Sequence, residues 1–517
     1  MEAPRWWELA AVVLVLLLAP YVKSTLQTLY DLQRQLRLTR GIRGPPTLPL
    51  IGSSHLFVAR SAQETFQFLS AEAKKVAASG GHMMKVWMGL ECNIWLLDSE
   101  AAKVRSFACA SFNSVRQVVL GSTKEISKGP SYAFITRLFG RGLLAGNGDV
   151  WRSRRKIVTP AFHFSRVDDY ARTMEHHVRI LIELLNKQPP NEEVDLYLPI
   201  KYCALDVICD TAMGFEMNSQ LQKEDCFYPK ALAWIQFQRP HYMLYGRFLW
   251  RLLGYEAQTV KTLDTLKATS RRIIKKRLEA LGDEGHPAEG EEKRRQNFLD
   301  LLLEQQHENR LTAEELGAEV DTFVFAGHDT VAHAVAWTVW CLATHPDIQE
   351  RCYAELVEHF GHSDGEFATK KIHELPFLDA CYKETMRIRP PVPFFQRWLE
   401  NDLVVDGHTI PRHTSVVISP LLMHHNKQVF PNPERFDPER FMGDREFAAT
   451  SYVPFSAGSR NCIGQRFAQR EVLIMISHLV YNFELSSDYR FEENVPIPET
   501  ITKPSLGIPV RLKPRHA

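Results

Sequence analysis

The ten residues from Phe455 to Gly464, Phe-Ser-Ala-Gly-Ser-Arg-Asn-Cys-Ile-Gly, constrain this chain more than any other stretch. They hold a single cysteine, Cys462, flanked by Gly458 and Gly464 where a tight loop needs backbone freedom. An apolar run of helical character follows, with Phe467, Val472, Leu473, Met475, Ile476 and Leu479. Cys462 is thus expected on a loop that opens into a helix, whose amides and positive end stabilise a thiolate. Arg460 adds positive charge two residues away. A low-pKa thiolate serves as a metal ligand or a nucleophile. A buried structural cysteine is the commoner fate of a lone Cys, and the loop alone leaves both open.

A chain of 517 residues is long enough for a large core or several domains. Its 45% hydrophobic and 24% charged residues are ordinary for a globular protein, and a net charge of +1 carries no nucleic-acid signature. Nine cysteines form no Cys-x-x-Cys pair, which argues against a disulfide framework and against a zinc module.

From Leu9 to Val22 the chain is almost wholly apolar, preceded by Trp6 and Trp7 and followed by Lys23, Arg34, Arg37, Arg40 and Arg43. The run is shorter than the roughly 20 residues of a comfortable span, and a cleaved signal peptide is the alternative. No clear small-x-small cleavage site precedes the basic stretch, and the charge asymmetry keeps the following chain in the cytosol. Residues 1–23 are read as an uncleaved membrane signal anchor, and 24–43 as an amphipathic basic linker with Leu26, Leu29, Leu32 and Leu36 near the membrane surface. Gly44-Pro45-Pro46 marks a stiff boundary, after which 44–517 forms the catalytic domain.

Met84 to Leu97 alternates as a strand hairpin. Helical periodicity dominates to about Leu281, and the charged stretch Asp283 to Arg295 reads as an exposed loop. Thr312, with Glu315 as capping-box partner, opens a helix that runs to about Thr344 before His345-Pro346 breaks it. Such a helix spans roughly 50 Å. A further helix ends at Arg389-Pro390-Pro391, and Leu403 to Val405 and Thr414 to Ser419 read as strands. The fold class is mainly α with minor β.

The long helix contains Ala326-Gly327-His328-Asp329-Thr330. Gly327 is unfavourable there by about 1 kcal/mol relative to Ala. A kinked helix with a back-bonded Thr is the plain explanation. The functional one is an oxygen pocket, in which the missing side chain makes room and Asp329 and Thr330 relay protons. Glu384 and Arg387 project from one helix face, usually a surface bridge of little value. Trp151 and Arg155 stand four apart in Trp-Arg-Ser-Arg-Arg-Lys, by itself a basic, solvent-facing turn.

Phe-x-x-Gly-x-Arg-x-Cys-x-Gly is the haem-binding signature of the cytochrome P-450 superfamily, and Phe455–Gly464 resembles it at every defined position. The resemblance implies the P-450 fold behind a single-pass N-terminal anchor. It implies a non-covalent haem b whose iron takes Cys462 as axial thiolate, a ligation that favours O–O cleavage. Phe455 would shield the sulfur. The 326–330 string resembles the superfamily's oxygen-site motif, which implies that Asp329 and Thr330 are catalytic. Glu384 and Arg387 resemble its Glu-x-x-Arg, completed by an arginine from Pro438-Glu439-Arg440-Phe441. Pro433-Glu434-Arg435-Phe436 repeats the same letters, but family spacing favours Arg440. Trp151, Arg155, Arg397 and Arg460 are implied haem contacts, the first three at its propionates. Arg152, Arg154 and Lys156 are left for the surface, where they would steer an acidic reductase.

Glu319-Val320-Asp321-Thr322-Phe323, Leu205-Asp206-Val207-Ile208 and Cys462-Ile463-Gly464-Gln465 look like family 4 of the animal enzymes. Its members commonly hydroxylate fatty acids and related lipids near the chain end. Two residues depart from it: Ala326 replaces a glutamate that often forms an ester to the haem, and Val331 stands where Thr or Ser is usual. Ala326 implies a haem held without that ester. The expected activity is a monooxygenase that uses O₂ and electrons from NADPH through a separate NADPH-cytochrome reductase flavoprotein, at the endoplasmic reticulum membrane with its catalytic domain on the cytosolic face. The alternatives are a haem-thiolate isomerase or dehydratase working without reductase, and a non-catalytic haem carrier. The aromatic stretch Trp234 to Leu253, with Arg239, Arg247 and Arg251, suggests a lipid-facing access route, although core packing explains many of its rings.

Overall fold

A computed structural model describes residues 26–58, 60–97, 127–223, 226–236, 250–283, 297–361, 367, 372, 374–405, 407–443 and 451–516. The expected anchor at 1–23, most of the aromatic stretch and the charged loop lie outside them.

The chain is mainly helical. Residues 26–38 form α1, followed by α2 (Ala62–Ala78), α3 (Ala133–Phe139), α4 (Gly148–Val158), α5 (Phe164–Leu185), α6 (Tyr197–Met213) and α7 (residues 228–236). Then come α8 (Tyr255–Asp283), α9 (Phe298–His307), α10 (Ala313–Ala343), α11 (Pro346–Phe360), α12 (Pro376–Ile388), α13 (Pro420–Met423) and α14 (Gln465–Asn482).

Helix α10 is the axis of the fold. Thr312 accepts from the Glu315 amide while Glu315 reaches back to the Thr312 amide, so the expected capping box closes its start. Apolar residues occur all round α10, and most of its length is buried, as such a composition requires. Helices α6 and α14 are buried in the same manner and pack against it with α5. Within this envelope Ala326, Gly327 and Thr330 form a partly accessible stripe on α10, with His328 and Asp329 between them buried.

The minor β component includes a three-stranded sheet with β3 (Glu193–Asp195) at its edge and, separate from it, a four-stranded sheet ordered β1-β2-β7-β4, from Met83–Met88, Glu91–Leu96, Ser415–Ile418 and Phe395–Trp398. Its first two strands are the hairpin expected from alternation, with Met83 opposite Leu96 and Met88 opposite Glu91. The alternation serves two cores. Met84, Val86, Trp95 and Val417 face Leu69, Ala73 and Val76 of α2, while Met83, Trp87, Ile94, Leu96, Val416 and Ile418 face the other way. The short hairpin of β5 (Leu403–Val405) and β6 (His408–Ile410) lies beyond.

Residues 26–43 are not a free tether. Arg34 is ion-paired with Asp402, Gln35 Nε2 donates to the His413 carbonyl at 2.6 Å, and Asp31 lies 3.0 Å from His413 Nδ1. Leu32 packs against the sheet core, and Ile42 is buried in it. Helix α1 is therefore docked on the catalytic domain, leaving Leu26, Leu29, Tyr30 and Leu36 outward. Among the described residues, no helix is long and apolar enough to cross a membrane.

Candidate functional site

The Cys462 loop is held by its own backbone. The Cys462 amide donates to the Phe455 carbonyl at 3.0 Å, and the Asn461 amide to Gly458 at 3.1 Å. Gly458 has φ +73°, the left-handed conformation for which glycine was expected. Gly464 has φ −88° and needs no such freedom; a Cβ there would meet no protein atom within 4 Å. The loop enters α14 at Gln465, as anticipated.

Cys462 is exposed, whereas every other described cysteine is buried. Its thiol is nonetheless crowded by protein, and burial raises it above its usual value, against the Gly464 amide and Arg155, which lower it. The helix-end amide acts in the expected direction and Arg155 takes the part foreseen for Arg460, but desolvation is the larger effect at the thiol itself. A metal cation, which deprotonates a coordinating thiol outright, reverses that balance.

Around the loop stand the cations named from the sequence. Arg155 of α4 grips Asn461, donating to its carbonyl at 2.8 Å and to its Oδ1 at 2.9 Å. Arg460 donates to the Leu143 carbonyl at 3.2 Å and to that of Gly146 at 2.5 Å, with its guanidinium 4.3 Å from the centre of the buried Trp151 ring. Arg397, buried on β4, donates to the Gln396 carbonyl at 3.1 Å and to Ser456 Oγ at 3.3 Å.

A fourth cation was missed. Lys128 Nζ lies 3.2 Å from Tyr132 Oη, over that ring, and is held well below its usual value by burial first and then by Arg397 and Arg460. Arg460 is likewise pushed down, to about 9, by burial and by Arg397. Like charges gathered in a desolvated place fit a dianionic group such as the paired propionates of a haem. With an exposed cysteine beside them, the donor set suits that cofactor. The only signal for Lys128 was a lysine four residues before a tyrosine. A cavity of about 750 Å³ opens next to Lys128, lined also by Tyr132, Arg141, Asn147, Trp398 and His413.

Arg154, expected on the surface, is buried. It pairs with Glu315, and its Nε lies 3.5 Å from Glu319. The Leu143 amide donates to Glu319 at 3.1 Å, and burial pushes the Glu319 carboxyl up to about 7. The basic string on α4 therefore divides, with Arg154 bonded to α10 and Arg155 to the cysteine loop.

Glu384 and Arg387 are both fully buried on α12. Arg387 donates from Nε and Nη2 to Glu384 at 2.7 and 2.9 Å, and Arg440 Nε donates to Glu384 at 3.2 Å. Arg387 also donates to the carbonyls of His424 and Pro433. The structure thus brings Glu384, Arg387 and Arg440 together. Arg435 is exposed and contributes its carbonyl alone.

On α10, Thr330 Oγ1 donates to the Ala326 carbonyl at 2.7 Å. Gly327 does not open space as expected: a Cβ there would lie 2.5 Å from Ile208 Cγ1, so its missing side chain is filled by α6. Asp329 is buried, with Lys201 Nζ 2.5 Å from one carboxylate oxygen and Gln236 Nε2 donating to the other at 2.7 Å. Burial raises Asp329, but Lys201 and His328 more than offset it and hold the carboxyl down at about 2. Lys201 was also missed. It sits in the otherwise apolar run Tyr197 to Leu205, a place where lysine needs a buried anion.

A mainly helical fold with a buried axial helix, a cysteine loop and a desolvated cation set defines a haem-thiolate protein. The Cytochrome P450 family model matches residues 42–510, and the chain belongs to that family. It is 34% identical to cytochrome P450 4V2 of Homo sapiens, over 98% of this chain and 96% of that one. It is 34% identical to cytochrome P450 4V2 of Pongo abelii (96% and 94%), and 33% identical to probable cytochrome P450 4s3 of Drosophila melanogaster (86% and 87%). These relatives place it with animal family 4. The protein is a monooxygenase, with haem b bound non-covalently through a cysteine thiolate on iron.

Proposed function

We propose that this enzyme hydroxylates a fatty acid or related lipid near its chain end, with Cys462 as the axial thiolate and electrons from NADPH through a separate flavoprotein reductase. The observation that carries the assignment of Cys462 is its exposure, unique among the described cysteines, on the loop that holds Arg460 and near the desolvated cations Lys128 and Arg397 that act on it. The haem supplies oxygen activation at its iron. The chain supplies the rest.

Arg397, Arg460 and Lys128 would offset the charge of the propionates, and the Trp151 ring lies under the Arg460 guanidinium. Arg155 fixes the carbonyl and side chain of Asn461, and so the direction of the next residue, Cys462. Phe455 packs partly buried at the loop and limits water at the sulfur. Glu384, Arg387 and Arg440 tie α12 to the segment 424–440 and act as a structural clamp. With haem in place, the partly accessible Thr330 hydroxyl, now bonded to the Ala326 carbonyl, would donate a hydrogen bond on the haem side, and Asp329 would connect it to solvent. Positioned donors of this kind contribute about 10²–10⁴-fold.

The lipid substrate is supported by the family 4 resemblance and by the outward apolar residues Leu26, Leu29, Tyr30 and Leu36 of α1, which suit a chain anchored by residues 1–23 to the endoplasmic reticulum membrane. The test is turnover of a lipid panel read by mass spectrometry. Hydroxylated product that requires NADPH, reductase and O₂ is expected; product formed from a lipid peroxide without reductase overturns the proposal. Cys462→Ser must abolish the long-wavelength carbon-monoxide band of the reduced enzyme.

A further inference from the structure

Cys352 of α11 and Cys381 of α12 meet with their Sγ atoms 3.6 Å apart, and both are fully buried. Their approach is set by the helices and not by the thiols. Glu355, three residues beyond Cys352, accepts from the Phe377 amide at 2.8 Å and from the Leu378 amide at 2.9 Å, at the start of α12. The Arg351 guanidinium lies 3.7 Å from the centre of the Phe377 ring. Neighbours on both sequences thus hold the two sulfurs together. Cys341 of α10 is buried nearby and acts on Cys381, but the Thr385 side chain is hydrogen-bonded to its thiol.

We propose that Cys352 and Cys381 are a modification site: they form a reversible internal disulfide, with hydrogen peroxide as the oxidant. In the first step one sulfur attacks the peroxide and the O–O bond breaks. That sulfur becomes a sulfenic acid, and the departing hydroxide takes the thiol proton and leaves as water. The second sulfur then attacks the first, the S–S bond forms and the S–O bond breaks, and this hydroxide takes the second thiol proton. Two thiols and one peroxide give one disulfide and two waters; each sulfur loses one electron, and the peroxide oxygens take up both. The sulfurs close from 3.6 Å to about 2.05 Å, on helices already in contact.

Burial decides how the site behaves. It pushes the Cys381 thiol well above its usual value, with Cys352 and Cys341 adding to the effect, so thiolate is scarce and attack on peroxide is slow. The same burial admits a small uncharged oxidant more readily than a charged thiol such as glutathione. A sulfenic acid at either position therefore meets the other cysteine first, and the product is an internal bond instead of a mixed disulfide. The bond fastens α12 to α11 one turn before Glu384, the carboxylate that Arg387 and Arg440 share. None of this depends on the proposed substrate or electron donor.

The experiment uses the full-length, haem-loaded enzyme with imidazole on the iron, which keeps peroxide from the metal. Hydrogen peroxide is applied for about a hundredfold longer than free cysteine in the same solution requires. The chain is then unfolded in iodoacetamide and digested. The peptides that carry residues 352 and 381 are expected as one linked species, lighter by two hydrogens than their sum and separated by a phosphine reductant. Untreated enzyme is expected to give the same two peptides alkylated and unlinked. Cys341→Ser is expected to leave the linked species unchanged, and Cys352→Ser to lose it. The parent enzyme alone decides the matter if either variant fails to fold. Alkylation of both residues after peroxide, a sulfinic acid at either, or a link from either to a different cysteine overturns the proposal.

Discussion

Gly327 of α10 and Ile208 of α6 lie so close that a Cβ on residue 327 would fall 2.5 Å from Ile208 Cγ1 and 2.6 Å from Cδ1. The glycine sets how near two buried helices approach. Gly327→Ala gains about 1 kcal/mol in helix propensity. It meets an overpacking cost of about 1–3 kcal/mol in a core that closes around Ile208. A lowered thermal midpoint is expected, with recovery when Ile208→Ala is added. An alanine variant as stable as the parent, with or without the second change, would show that α6 gives way freely.

The repeated Pro-Glu-Arg-Phe strings make opposite predictions for their arginines. Arg440 is buried and donates to Glu384, while the Arg435 side chain is exposed. Arg440→Ala leaves a buried carboxylate short of one donor, a loss of about 1–3 kcal/mol. Arg435→Ala should stay within about 0.5 kcal/mol of the parent. Glu384→Ala, which strands two buried guanidinia, should be the most damaging, at about 3–5 kcal/mol. Denaturant midpoints and haem content measured on the three variants check the order.

Glu319 gives a pH signature of definite sign. Its folded carboxyl is raised from 4.5 to about 7 by burial, against the Leu143 amide and Arg154. Between those values the folded chain keeps a proton that the unfolded chain releases, so stability is highest below 4.5 and declines as pH rises towards 7. The difference corresponds to about 3 kcal/mol above that window. Glu319→Gln removes the titration, so the variant should gain on the parent by roughly that amount between pH 4.5 and pH 8. Asp321, raised to about 6, titrates in both proteins and cancels. Parallel melting curves across the two pH values would sink the assignment.

The sequence made the elements legible and much of the site's membership, but not which groups share a desolvated space. The capping box at Thr312, the hairpin at 83–96 and the loop entering α14 follow from local patterns that act within a few residues. Arg154 and Arg155 are adjacent and chemically alike, and only packing decides that one bonds α10 and the other Asn461. The same holds for Cys462: a helix end and an arginine are visible in the letters, whereas the desolvation that outweighs them is a property of the folded packing. Lys128 and Lys201 lie 201 and 128 residues from Asp329 in the chain, and no periodicity connects a lysine to an anion at that separation. The departures at Gly327 and Lys201 have one origin, the close approach of α6 to α10.

Ala326 is the position at which the means of holding the haem can be changed by one residue. It shares with Thr330 the partly accessible stripe in the middle of α10, about one helical turn apart, and its carbonyl accepts the Thr330 hydroxyl hydrogen bond. A methyl group has no atom that can form an ester, so acidified organic solvent should extract the haem completely from the parent. Ala326→Glu places a carboxylate on that stripe. On the partly accessible side that it shares with Thr330, it stands apart from the contact with Ile208, which belongs to Gly327. After turnover with NADPH, reductase and O₂, a fraction of the haem in this variant should stay with the chain through extraction and appear as added mass on the peptide containing residue 326. Incomplete extraction from the parent would contradict non-covalent retention. Complete extraction from a variant that folds and turns over would show that residue 326 does not face the haem edge, and with it that the 326–330 stripe is oriented differently from the proposed site.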